Sequence, residues 1–166
     1  MLLFALDLLD EHKDGTLMAE PPRPLKQRKT DALGRLETDK DLWIASGAAG
    51  GMATLVPLSF WWDGNRLFVA TVRSNPTARN VDESATARVV LGHTRDVVLI
   101  DVDVVRLSSA EATERCAAQY AKKCGWDPLE SSGYAFFQLT PSWIESWREL
   151  NEHADRKIMA DGKWLV

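Results

Sequence analysis

Residues 52–81 read MATLVPLSFWWDGNRLFVATVRSNPTARNV. Met52 to Trp62 is apolar on both alternating faces, the pattern of a strand covered on two sides. Asp63-Gly64-Asn65 supplies residues that accept positive φ, which marks a hairpin turn, and Arg66 to Thr71 is the partner strand. The chain then enters Arg73-Ser74-Asn75-Pro76-Thr77, and a short helix is predicted from Thr77 to Glu83. A buried strand therefore ends in hydroxyls and two guanidiniums at a helix start. Backbone N–H groups, the hydroxyls of Ser74 and Thr77, and Arg73 or Arg79 form a donor set for a phosphate. Pro76 opens the helix without wasting an N–H. The same residues also make an ordinary cap, with Ser74 or Asn75 satisfying the first turn. Residue chemistry alone leaves both readings open.

On the N-terminal side, Asp41 to Ser46 reads as a strand and Gly47 to Gly51 as a turn. Before them, Leu25 to Leu36 reads as a helix, and Glu20-Pro21-Pro22-Arg23-Pro24 as a stiff linker that no helix crosses. The chain thus divides into an extension and linker, 1–24, and a domain, 25–166. The apolar start MLLFALDLLDEHKDG is too short to span a bilayer and is interrupted by Asp7. It lacks the basic region and cleavage site of a signal peptide, and reads as a docking helix or an extension, with Met18 a possible start.

On the C-terminal side, Ala87 to Leu91 and Asp96 to Leu107 are strands, the second rich in valine. Ser108 and Glu111 form a capping box for a helix that runs to about Lys123. Tyr134 to Leu139 is a strand, Thr140-Pro141-Ser142-Trp143 a turn, and Lys157 to Val166 a closing hairpin around Asp161-Gly162. Tight turns join most neighbouring strands, so the sheet should be largely antiparallel. Strands apolar on both faces suit a small closed barrel with outside cover.

A length of 166 residues suits one domain, and 45% hydrophobic with 27% charged residues is ordinary globular composition. The net charge of −4 argues against nucleic acid as partner and leaves small anionic ligands open. Cys116 and Cys124 lie on one predicted helix, roughly 12 Å apart at 1.5 Å per residue, too far to pair. With no CxxC pattern and three histidines, no metal site is expected, and the cysteine usage fits a reducing cytoplasm.

Seven tryptophans are many for this length. Trp143 and Trp147, four apart, would share a face on a helical turn and could meet a planar ligand; they also suit core or dimer packing. Asp101 and Asp103 alternate with valines, as on the wet face of a strand, or could be paired acids. His93 stands in a polar turn. No nucleophile elbow, P-loop or dinucleotide fingerprint is present, and no catalytic residue is assigned.

The ordered series Leu42–Ser46, Ala53–Gly64, Arg66–Thr71, Thr77–Val81, Thr94–Val98 and Arg156–Leu165 resembles the flavin-binding split β-barrel proteins. These are the superfamily of pyridoxamine 5'-phosphate oxidase and the deazaflavin-dependent oxidoreductases. The resemblance runs from about Leu25 to the C-terminus. It implies a mainly β, largely antiparallel split barrel with flanking helices, and a homodimer with FMN at the interface. On that pattern Val56, Pro57, Leu58, Ser59 and Thr71 line the flavin ring. Arg73, Ser74, Thr77, Arg79 and Asn80 take the phosphate, and Trp143 and Trp147 of the other subunit close the site. Many relatives carry a lysine or arginine where Asn75-Pro76-Thr77 stands here. The implied activity is an FMN-dependent oxidoreductase acting on a small molecule, with no part for a membrane. The alternatives are a deazaflavin (coenzyme F-420) reductase, or a non-catalytic protein that holds a flavin- or heme-type ligand.

Overall fold

A computed structural model describes residues 21–166. The expectations for the first twenty residues, a docking helix and a start at Met18, lie outside the described residues. Four helices and eight strands follow in the order α1 (Leu25–Thr38), β1 (Asp41–Ser46), β2 (Thr54–Trp62), β3 (Leu67–Val72), α2 (Pro76–Ser84), β4 (Thr86–His93), β5 (Asp96–Leu107), α3 (Ser109–Arg115), α4 (Ala117–Cys124), β6 (Tyr134–Trp147), β7 (Lys157–Ala160) and β8 (Lys163–Trp164).

The strands lie in the order β3-β2-β1-β4-β5-β6-β7-β8, and β3 also pairs with β6. That last pairing closes β3-β2-β1-β4-β5-β6 into a six-stranded barrel, with β7 and β8 continuing from β6. Every pairing is antiparallel. Closure through β3–β6 pairs the ends of the six-stranded run with each other and encloses one apolar face as the core.

β3 shows how the two faces are used. Leu67 and Val69 face the barrel core with Ile44, Ile100, Phe137, Leu139 and Ile144. Phe68 and Ala70 face outward into a second cluster with Phe136, Ala112, Cys116, Ala117 and Tyr120 of α3 and α4. The largest of these side chains are fully buried, so truncating one to alanine should cost about 2–5 kcal/mol. On the other side α1 buries Arg28, Ala32 and Leu36, one turn apart. The periodicity of Leu25, Leu33 and Leu36 placed that face slightly off, because the stripe's first member is an arginine. Arg28 donates to the carbonyl oxygens of Arg23, Glu152 and Asp155 at 2.8–3.0 Å, which satisfies its buried guanidinium.

Two expectations are corrected. The helix read from Ser108 to Lys123 is two helices, separated by Cys116 at φ −147° and ψ −26°. The capping box at Ser108 and Glu111 is present. The kink lets Ala112 of α3, Cys116 at the junction, and Ala117, Tyr120 and Cys124 of α4 join one buried cluster against the sheet; nothing in the local sequence marks it. Second, Thr140–Trp143 is not a turn. β6 runs unbroken from Tyr134 to Trp147, because β5 offers it a partner along its whole length. Val102 pairs with Pro141 and Asp101 with Trp143, leaving Ser142 as the extra residue of a bulge. A bulge tolerates a residue without N–H, which is why proline fits there. Ser142 is tied down on both sides: its hydroxyl donates to Asp101 O at 3.2 Å and its carbonyl accepts from Gly162 N at 2.9 Å.

Within the Pro-rich segment, Arg23 is anchored to the last third of the chain. Glu152, 3% exposed, accepts from Arg23 N, Nε and Nη2 at 2.7–2.9 Å and from Arg148 N at 2.8 Å. The Arg23 side chain holds the Glu152 carboxyl down at about 2, against the opposing effect of burial.

Candidate functional site

The phosphate-like stretch sits where β1, β2 and α2 converge. Ser46 and Thr54 are cross-strand partners at the ends of β1 and β2. Their hydroxyls bond at 2.8 Å, and Thr54 Oγ1 bonds Thr77 Oγ1 at 3.1 Å. A line of three hydroxyls therefore leads from the sheet to the first turn of α2. Asn80, buried one turn later, donates to Met52 O at 2.9 Å and Ser46 O at 3.3 Å. It straps the loop between β1 and β2 onto the helix. Gly51 lies against it: a Cβ there would stand 3.2 Å from Asn80 Oδ1.

The N-terminus of α2 has Asn75 at the cap position, no side-chain cap hydrogen bond and no acid in its first turn. The Asn75 amide instead turns back to donate to Thr71 Oγ1 at 3.2 Å. The ordinary cap from Ser74 or Asn75 is therefore not made, and the dipole end of the helix carries no internal anion.

The candidate residues separate into three places. Leu58, Thr71 and Thr77 line one small enclosed space inside the barrel, with Ile44, Val81 and Val104 among its walls. Val56, paired with Ile44, packs on the same core. Pro57 and Ser59 point the other way, to the outer face, where Ser59 Oγ donates to Asp41 Oδ1 at 2.6 Å. The four β2 candidates thus alternate across two faces, as a strand requires. The arginines diverge too. Arg79 donates to Ser74 O and stays on the helix start. Arg73 Nε donates to Tyr134 O at 2.7 Å, and Arg73 lines a separate cleft under α3.

Trp143 and Trp147 are placed by strand β6, not by a helical turn. Alternation still puts them on one face, half-buried. Lys157 Nζ stands 3.9 Å from the centre of the Trp143 ring. Trp147 meets His153 edge-on at 5.9 Å, with the Arg156 guanidinium 5.7 Å away. β1, β4 and β5 lie between the Leu55–Pro57 part of β2 and Trp143 on one path around the barrel. Trp143 and Trp147 stand on the half of β6 beyond the Tyr134–Leu139 segment that pairs with β3. The tryptophans and the β2 candidates thus lie on different strands.

They do share a surface. The register aligns Pro57, Trp43, Val90, Leu99 and Glu145 in one row across β2, β1, β4, β5 and β6. Leu55, Ala45, Arg88, Asp101 and Trp143 form the adjacent row. Trp43 is 47% and Leu55 62% exposed. Arg88 and Asp101 pair bidentately at 2.6 and 2.9 Å, which places Asp101 in an ion pair on this face. Asp103 is exposed, and His93 Nδ1 accepts from Arg95 N within its turn at 3.2 Å. Among the described residues no cluster of His, Cys, Asp or Glu could hold a metal ion. Both cysteines are free and buried, and burial pushes the Cys116 thiol up to about 12, far from a nucleophilic thiolate. Sequence reasoning missed Ser46 and Thr54; hydroxyls at facing strand ends were the available signal.

This closed antiparallel barrel flanked by helices is the split β-barrel fold of pyridoxamine 5'-phosphate oxidase-like proteins. Three solved structures carry that statement. The heme storage protein HutZ of Vibrio cholerae superposes with a TM-score of 0.62 at 15% identity, over 75% of this chain and 98% of its own. A candidate pyridoxamine 5'-phosphate oxidase from Listeria innocua gives 0.59 at 17%, over 74% and 98%. PhzG from Burkholderia lata, in complex with tetrahydrophenazine-1-carboxylic acid, gives 0.55 at 17%, over 89% and 91%. An F420 reductase is also similar, with a TM-score of 0.53 at 13% identity. No protein-family model matches the sequence, and no curated protein matches it.

Proposed function

We propose that the protein is a homodimeric flavoprotein of the oxidoreductase type, with FMN held at the edge of the exposed sheet face. The observation that carries this is the uncapped, acid-free N-terminus of α2, set beside the Ser46–Thr54–Thr77 hydroxyl line. Backbone N–H groups, a helix dipole and hydroxyls suit a phosphate monoester, and Arg79 adds charge. The donor set therefore fits the phosphate of FMN. Thr71 and the β2 rim would hold the ring, and Trp143 and Trp147 of a second copy would close it. Such a cofactor supplies hydride and electron transfer when bound. This chain's part is to orient it and keep water from it. No protein side chain needs to act as acid or base, which agrees with Asp101, Asp103 and both cysteines being paired, exposed or buried.

The long anionic tail of coenzyme F-420 would want several more cations along the loop. Only Arg73 and Arg79 stand there, and Arg73 turns away. FMN is therefore preferred. Titration of the purified full chain with FMN, followed by flavin absorbance, tests the reading. Binding should occur, and Arg79→Ala should weaken it about tenfold, the worth of one charge-assisted hydrogen bond. No FMN binding by the parent protein, or full affinity after Arg79→Ala, overturns it.

A further inference from the structure

The guanidinium of Arg73, which turns away from the α2 loop, enters a cleft of its own. This cleft is about 250 Å³ in volume and lies between the end of β3, the start of β6 and α3. Leu129, Ala112 and Phe136 give it an apolar floor, and Arg106 and Ser109 stand on its wall. No acid lines it. That is notable in a chain of net charge −4. The two arginines are not equivalent. Arg106 is neutralised by Asp82, which its Nε and Nη2 both reach. Arg73 has no acidic partner among the described residues. Its Nε is fixed on Tyr134 O at 2.7 Å, which orients the planar group. The terminal Nη1 and Nη2 edge is left for a ligand, and that edge matches a carboxylate with two parallel hydrogen bonds.

We infer that this cleft binds a small monoanionic carboxylate with an apolar body, separately from the proposed flavin site. The carboxylate takes the free edge of Arg73, and the apolar body lies on Leu129, Ala112 and Phe136. Arg73 is exposed, so the preference for a carboxylate rests on the fit of its planar Nη1 and Nη2 edge to two carboxylate oxygens over an apolar floor. The volume lies just below the usual range for drug-sized ligands, so the ligand is about the size of a substituted benzoate.

The test uses the full chain labelled with ¹⁵N and benzoate as the probe, with amide shifts followed by NMR. Benzoate should shift residues 107–112 and 134–136 with saturable behaviour. Benzyl alcohol, which lacks the carboxylate, should leave these amides unmoved. Arg73→Gln should weaken benzoate about 10- to 100-fold, the loss of a charged bidentate contact. Lys26→Gln on exposed α1 removes the same charge and should leave benzoate affinity intact. Three results overturn the inference: no saturable shift at these amides in the folded protein, equal affinity of Arg73→Gln and parent, or equal losses in both variants. Because Arg79 is absent from this cleft, failure here leaves the FMN titration unaffected, and the reverse also holds.

Discussion

At the residue scale, the clearest energetic statement belongs to Glu152. It gathers four hydrogen bonds from Arg23 and Arg148 while nearly excluded from water. Removing one member of such a buried pair strands the other charge, so Glu152→Ala should lower stability by about 3 kcal/mol in denaturant melts. The folded pKa, about 2, lies below the ordinary value of 4.5. Its contribution is therefore whole above the ordinary value and is lost as pH falls toward 2. The parent protein should lose stability across that window, and Glu152→Gln should show a flatter acid limb. An identical acid limb in both would show that Glu152 contributes no pH-dependent stability and is not held below its ordinary value in the fold. The same scale shows why the arginines escaped sequence reasoning. Arg73 and Arg79 look interchangeable in RSNPTAR, and only the three-dimensional course of the loop sends one to Tyr134 and the other to Ser74.

At the scale of elements, β1 and β5 were legible to the residue, because alternation and β-propensity run uninterrupted through Asp41–Ser46 and Asp96–Leu107. β6 was not. Pro141 breaks local pattern, and only the length of β5 and the bulge at Ser142 restore the strand. The candidate site was legible in part for a related reason. Thr77 and Asn80 are neighbours on α2, but their partners Thr54 and Ser46 come from earlier strands, and single-sequence reading sees no such pairing. Asn80 joins two elements that sequence keeps apart, the loop after β1 and helix α2. Asn80→Ala should leave the carbonyls of Ser46 and Met52 without that donor and cost about 1–3 kcal/mol. Hydrogen exchange should speed selectively in residues 47–53 while β5 stays protected. Uniform acceleration across the barrel would instead mean that Asn80 supports the whole fold.

At the scale of the whole molecule, the outer face of β2-β1-β4-β5-β6 needs an account. A sheet face that exposes Trp43 and Leu55 beside Pro57, Val90 and Leu99 is more apolar than a solvated face requires. It also bears Trp143 on β6, the strand at the opposite end of those rows from β2. A two-fold contact through this face, as the proposed function requires, would answer both points at once. It would cover the apolar rows and bring the tryptophans of one copy toward the loop of the other, where a ring bound at that loop would need a second wall. The same contact would leave the Arg88–Asp101 pair central and desolvated, which favours a geometry already paired within the chain. Trp43→Glu places a charge in the middle of the face without touching the core. If the face is the dimer contact, losing one central tryptophan costs about 2 kcal/mol or more, roughly 30-fold in dissociation constant. Sedimentation equilibrium should show a dimer for the parent chain and a shift toward monomer for Trp43→Glu, with unchanged secondary structure. FMN affinity should fall in parallel, since the loop then has no partner tryptophan. A variant that stays dimeric moves the contact to another face, and a monomeric parent that still binds FMN makes the site complete within one chain.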